Sequence, residues 1–427
     1  MKLLLSLTVL LLIELFGWYD PSQMFLIPGA FKAYDLALIL SLLWFACTFS
    51  RDTETSIAII KSPTSFLIYI FYALVLVESI QTFMGGGASI KSVLQVARNY
   101  LPYMLLFPIM YDVIKTDSMN YYVSFMLVIA VAATIILFLV GVFDVEWFDS
   151  WPNLHAGEQE EYIQGVKRAY FTAFLFPVVG MMLILWRIII EKNNSNLPFL
   201  LLLITGFVLQ GFRSYIIAAL ISLFTVYAFY IRLKVGKIFS FAAIIGAFLF
   251  AFFILGNMFG LNTSLIQDRI LSAYYDLINL DGTFAYRLFD DAFRWDVYLE
   301  GNKLLGVGML HHESERALSM GVQQYGMFSL TTSDSGYLDI LLRFGIPGAL
   351  FFSFFTVFLF NRYIKAARVL PQHQKAVALA TASFILTIFI TQITHAGFTF
   401  IYGIVPLVIC LSLVEAALVL HNSKSKA

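Results

Sequence analysis

Long stretches of this chain carry no charge at all. Residues 376–414 contain no Asp, Glu, Lys or Arg, and the same holds for 238–267 and 119–143. A helix needs about 20 mostly apolar residues to cross a bilayer, so the first run has room for two spans with a turn near Thr394–Gly397. Read this way, the whole chain predicts about twelve spans, at 3–19, 34–50, 63–83, 98–114, 119–143, 169–190, 197–212, 214–232, 238–257, 337–361, 376–395 and 398–420. The apolar runs are continuous. They do not alternate every second residue, which excludes a transmembrane barrel. The expected fold is all-α, one polytopic membrane domain over 1–427. The first run continues past Glu14 to Trp18 and Tyr19 without a small-residue cleavage site, so it reads as a membrane helix and not as a signal peptide.

Two polar interruptions stand out, at about 144–168 and 258–336, the second 79 residues long. With the N-terminus placed inside, the short inside segments hold fifteen Lys and Arg and the short outside segments hold six. The positive-inside rule then puts both termini in the cytoplasm and both loops on the outer face. Residues 284–300 space Phe284, Leu288 and Trp295 as a helix does. This predicts short helices in the large loop, one lying along the membrane surface. There is no internal repeat and no inverted-repeat symmetry of the transporter kind.

Composition agrees. Of 427 residues 60% are apolar and 13% charged, with 43 Phe, against about 25% charged in soluble domains. A soluble enzyme, a disordered chain and a disulfide scaffold are excluded. The 27 basic and 27 acidic residues balance, so nothing favours nucleic acid. Cys47 and Cys410 both lie in apolar runs and read as fillers.

Ionisable groups at membrane depth are costly and therefore candidates for function. Arg213 sits between two adjoining spans. It either snorkels to the surface or faces an anion. Glu14, Asp35, Glu78, Glu415 and His395 lie near span ends and are expected to pair structurally. Lys167, Arg168, Arg287 and Arg294 add cations to the outer loops, and arginine's planar fork suits phosphate. His311, His312, Glu313 and Glu315 are too nearly adjacent to converge on a metal. There is no Walker loop, nucleotide fingerprint or GxSxG elbow.

The most patterned segment is 303–348. Gly306 and Gly308 allow a sharp turn or a close backbone approach. Asp334 precedes a span at the outer interface, where it either caps the helix starting near Ser335 or Gly336 or serves as a general base.

Three motifs, in order, carry a resemblance. The first is Arg213-Ser214 at a span junction. The second is Tyr286-Arg287-Leu288 followed by Gly306-Val307-Gly308. The third is Asp334-Ser335-Gly336-Tyr337-Leu338 followed by Phe344-Gly345-Ile346-Pro347-Gly348. Over about 200–360 the chain resembles the Wzy/WaaL superfamily of O-antigen polymerases, O-antigen ligases and exopolysaccharide polymerases. It departs from the family pattern at Lys303, where the family has proline, and at Asp334, where ligases have histidine.

The resemblance implies a metal- and cofactor-independent glycosyltransferase of the bacterial cytoplasmic membrane. Its donor would be a glycan on undecaprenyl diphosphate, transferred to a sugar hydroxyl at the outer face. Arg287 and Asp334 would be catalytic, with Arg213, Arg168, Lys167, Arg294 and Tyr337 binding substrate. Membrane lipids, a flippase and a chain-length regulator would be partners. Asp334 in the histidine's place tilts the reading toward a polymerase. The alternatives are an O-antigen ligase acting on lipid A–core and, from a different class, a glycolipid or anion transporter or flippase.

Overall fold

The computed structural model describes all residues except 18–32, 50–51, 142, 144, 152–153, 157–168, 193, 210–212, 233–288, 290, 303, 312–313, 321–334 and 425–427. The described chain runs α1 (Lys2–Leu12), α2 (Ala33–Phe49), α3 (Thr53–Ile60), α4 (Pro63–Met84), α5 (Ile90–Ala97), α6 (Leu106–Thr116), α7 (Met119–Gly141), β1 (His155–Ala156), β2 (Ala169–Tyr170), α8 (Phe176–Glu191), α9 (Leu197–Leu209), α10 (Arg213–Tyr230), α11 (Gly336–Val369), α12 (Gln372–Thr391) and α13 (Ile401–Lys424). The fold is helical. Its extended structure, among the described residues, is the two-residue antiparallel pair β1–β2, with His155 opposite Tyr170.

Five of these helices (α4, α7, α11, α12 and α13) are long and apolar enough to cross a membrane, and α1, α2, α9 and α10 are shorter apolar helices. The expected twelve full-length spans are therefore not all met, for local reasons. The chain leaves α1 at Ile13, and Glu14 and Leu15 then take positive φ, which ends the continuous run expected at 3–19. Residues 98–114 divide into a 3-10 helix, Arg98–Leu105, and α6. Pro102 and Pro108 remove amide donors from this stretch. The span expected at 238–257 lies outside the described residues.

Burial ranks the helices. The most apolar stretch of α13 is 89% buried in protein and that of α4 33%, so α13 is central and α4 peripheral. α12 packs against α8, α10 and α11 through buried Ala376, Ala378, Ala380, Thr381, Ala382 and Ser383. Small side chains let backbones approach closely, which is how helices associate without a hydrophobic drive in lipid. The Trp186 indole on α8 donates to the Ser383 hydroxyl at 3.0 Å. Cys410 is buried and Cys47 exposed, both unbridged.

One feature of the fold sets up the site. α11 is kinked at Gly345, with φ 57° and ψ −154°. The turn at 304–308 docks into this kink. Ile346 N–H donates to the Leu304 carbonyl at 3.2 Å, and Val307 N–H donates to the Leu342 carbonyl at 2.7 Å. Gly306 and Gly308 have φ of 72° and 78°, as the close approach requires. A Cβ on Gly306 would lie 2.6 Å from the Leu342 carbonyl oxygen. Two glycine motifs 39 residues apart in sequence thus form one interlocked corner.

Candidate active site

The corner places charge. Arg343, half a turn before the kink, is 2% exposed. Its Nη1 donates to the carbonyls of Leu310 at 2.8 Å and Gly308 at 3.4 Å. Met309 N–H donates to Thr82 Oγ1 on α4 at 2.8 Å. The strand of chain 308–310 is therefore fixed from two sides. Asp339 is one turn before Arg343 on α11 and is also buried, since residues four apart share a helix face.

Arg343 and Asp339 line a cavity of about 410 Å³. Arg98 and Tyr100 from the 3-10 helix, His311, and Tyr402 at the start of α13 complete its functional lining. Arg98 is held by an ion pair with Asp35 of α2 at 3.6 Å. The carboxylate is 2% exposed and the guanidinium side chain 19%, so the buried acid aims a partly open cation. The wall behind is aromatic: Tyr100 packs on Phe344 at 5.4 Å and on Phe71 at 5.5 Å. Two arginines and the Asp339 carboxylate thus face the cavity over an aromatic wall, and the guanidinium forks suit an anion that accepts paired hydrogen bonds.

The expected site residues fall as follows. Arg168, Lys167, Arg287 and Asp334 lie outside the described residues. Arg213 begins α10, with its side chain outside the described set. Its neighbour Ser214 meets His395 Nδ1 at 3.4 Å, just beyond the end of α12. Tyr337 N–H donates to the Gln392 carbonyl and its hydroxyl to the Phe389 carbonyl at 2.9 Å. These bonds place α10, α11 and α12 termini at one end of the bundle, the end that holds the cavity. Tyr337 itself is spent on this docking and is not in the cavity wall. Arg294 is 4% exposed and is not in that wall either. Of the acids near span ends, Glu14 accepts from Thr172 at 3.0 Å, Asp35 binds Arg98 and Glu415 binds Arg362, whereas Glu78 is buried with its Oε2 unpartnered. Among the described residues no group of three His, Cys, Asp or Glu side chains could hold a metal.

The sequence reading missed Arg98, Asp339, Arg343 and the cavity role of His311. The signal for Arg343 was present: an arginine well inside a predicted span is an ionisable group at membrane depth. It was hidden inside the Phe344–Gly348 motif beside it.

Residues 198–353 match the family model Wzy_C, described as O-antigen ligase. The match covers a little over a third of the chain and is a likeness to that family. The matched segment runs from α9 to the middle of α11, and so contains the interlocked glycine corner, His311, Asp339 and Arg343. Arg98, which completes the cavity, comes from outside it. No curated protein matches the chain. The Wzy_C domain supports an activity of the O-antigen ligase or polymerase type, in a protein of the membrane.

Proposed function

We propose that the protein is a polymerase of lipid-linked oligosaccharide repeat units. It transfers a glycan from undecaprenyl diphosphate to a sugar hydroxyl at the outer face of the bacterial cytoplasmic membrane. The observation that carries this reading is the cavity of about 410 Å³ lined by Arg98 and Arg343, beside the corner where the Gly306–Gly308 turn docks on the Gly345 kink. The leaving group of such a transfer is a lipid diphosphate. Two preorganised guanidinium groups would bind it and stabilise the charge that develops as the glycosidic bond breaks. Arg213, Arg168, Lys167 and Arg287 would extend the same positive surface along the lipid-linked donor. Both termini lie in the cytoplasm in this reading, with a flippase supplying the donor and a chain-length regulator acting on the product.

The family description, O-antigen ligase, favours a second reading, transfer of finished glycan to lipid A–core. The two differ in what accumulates. Arg98→Ala and Arg343→Ala are each expected to lower product by about 100- to 1000-fold, the range for losing one preorganised donor to developing charge. The measurement is glycan length and carrier-linked intermediates in cells with normal protein levels. Single repeat units left unextended support polymerase, and carrier-linked polymer supports ligase. Unchanged glycan in both variants removes the cavity from the reaction.

A further inference from the structure

A second cavity adjoins the first. It has about 500 Å³ and is lined by Gly87, Ala88, Ser89, Lys91, Ser92, Gln95, His311, Ser314 and Glu315. Gln95 and His311 belong to both cavity walls. The chemistry of the two differs. The first is arginine-lined and backed by aromatic rings. The second offers hydroxyls, an amide, one ammonium and one carboxylate. That set suits a neutral, hydrated, polyhydroxyl ligand, because each sugar hydroxyl both donates and accepts. α5 forms one wall. Its Ile90 and Leu94 are 61% and 60% exposed, while Ser89, Ser92 and Gln95 face the cavity. A short helix with one apolar face turned outward suits the membrane interface, where a lipid-linked sugar would lie.

His311 is held firmly between the two. Leu310 before it is pinned by Arg343. The His311 carbonyl accepts Ser314 N–H at 3.0 Å and the Ser314 hydroxyl at 2.7 Å. Ser314 in turn caps the one-turn helix Glu315–Ser319, and Arg316 N–H donates to the Gly87 carbonyl at 3.1 Å. The backbone that carries the imidazole is thus fixed to α11 on one side and to the turn after α4 on the other.

We propose that the second cavity is the acceptor-sugar subsite and that His311 takes the proton from the attacking hydroxyl. This rests on the glycan-transfer reading above. In the step, the acceptor oxygen bonds to the anomeric carbon of the donor sugar. The bond from that carbon to the carrier's phosphate oxygen breaks. The diphosphate leaves with the electron pair toward Arg98 and Arg343, and the hydroxyl proton passes to the His311 ring. His311 lines both cavities, which is where the donor's anomeric carbon and the acceptor's hydroxyl would meet.

The test uses the full chain in detergent or nanodiscs. The donor is lipid-linked repeat units extracted from cells lacking the protein. The acceptor is the free repeat-unit oligosaccharide. His311→Ala is expected to lower kcat by about 100-fold or more, the scale of a positioned base, with the donor KM unchanged and partial recovery on adding imidazole. Ser92→Trp, which fills the second cavity, is expected to raise the acceptor KM about tenfold and leave the donor KM alone. Full activity in His311→Ala overturns the proposal. So does a loss that imidazole does not restore while Asp334→Asn abolishes turnover. Ser92→Trp with unchanged acceptor KM overturns the subsite. Wild-type protein that forms no glycosidic bond overturns the transfer reading itself, and this one with it.

Discussion

Arg343 and Arg362 sit on the same helix, 19 residues apart, which is about 28 Å at 1.5 Å per residue. Arg343 is buried and Arg362 partly so, and they are held in opposite ways. Arg362 forks onto one carboxylate: Nε donates to Glu415 Oε1 at 2.7 Å and Nη2 to Oε2 at 2.9 Å. Thr64 donates to the same Oε1 at 2.8 Å, and Glu415 is fully buried. Charge and hydrogen bonds are matched there within the protein. Arg343 instead donates to two backbone carbonyls. Carbonyls fix a guanidinium without taking up its charge, and the Asp339 carboxylate one turn before it lines the same cavity. One end of α11 therefore uses arginine to close the bundle, and the other presents a guanidinium and a carboxylate to a cavity. A buried charge by its rarity alone does not separate these cases. The identity of its partners does.

The comparison breaks if Arg362 proves catalytic. Arg362→Leu leaves a buried carboxylate uncompensated, and removing one partner of such a pair costs about 3–5 kcal/mol. The expected outcome is a large drop in thermal midpoint in detergent with unchanged turnover per folded molecule. Replacing both partners, Arg362→Met with Glu415→Leu, is expected to recover most of the loss, because the desolvation cost goes with the charges. A double variant as unstable as the single one would show that this end is more than a matched pair.

How much of this was legible beforehand follows the same division. Apolar runs located α4, α7, α12 and α13 closely, because a bilayer imposes length and polarity together. The sequence also marked Gly306 and Gly308 as a tight turn. It did not show that this turn docks into the Gly345 kink, since both motifs looked complete as local punctuation. Their meeting depends on a tertiary contact with no periodicity to betray it. The cavity was hidden for a similar reason. In sequence Arg98 is one of the six cations of the short outside segments, and its aim comes from Asp35 on a different helix. His311 stands beside His312 and Glu313 in sequence, and nothing in that cluster marks one histidine as lining two cavities.

The corner offers a sharper test of the functional end. Gly345→Ala would force an L residue into a conformation that costs on the order of 1–3 kcal/mol, and its Cβ would meet the Leu304 carbonyl carbon at 2.7 Å. The 304–310 turn should lift from α11 and carry the Leu310 and Gly308 carbonyls away from Arg343. We expect moderate destabilisation but a disproportionate loss of turnover. Leu350→Ala is the comparison, at an exposed position of the same helix just past the kink. Equal losses of stability and activity in Gly345→Ala would mean that the corner serves folding alone.

The smallest effect belongs to the end that Arg362 closes. Asp52 caps α3 by accepting from Thr55 N–H and pairs with Lys115 at the end of α6. The Lys115 ammonium holds the Asp52 carboxyl below its ordinary value. A carboxyl with lowered proton affinity in the fold adds stability above the ordinary carboxylate range. That contribution fades as pH falls through the lowered value, where the folded form also takes up a proton. The pair is open to solvent, so its effect is small and screened by salt. Asp52→Asn should therefore lower the thermal midpoint slightly at neutral pH and not at all in strong acid, and 1 M salt should shrink the difference. A difference that persists in acid would place the stabilisation in the cap geometry, which Asn retains in part, and not in the charge. The closed end would then owe its strength to hydrogen bonds there and to ionic matching only at Glu415.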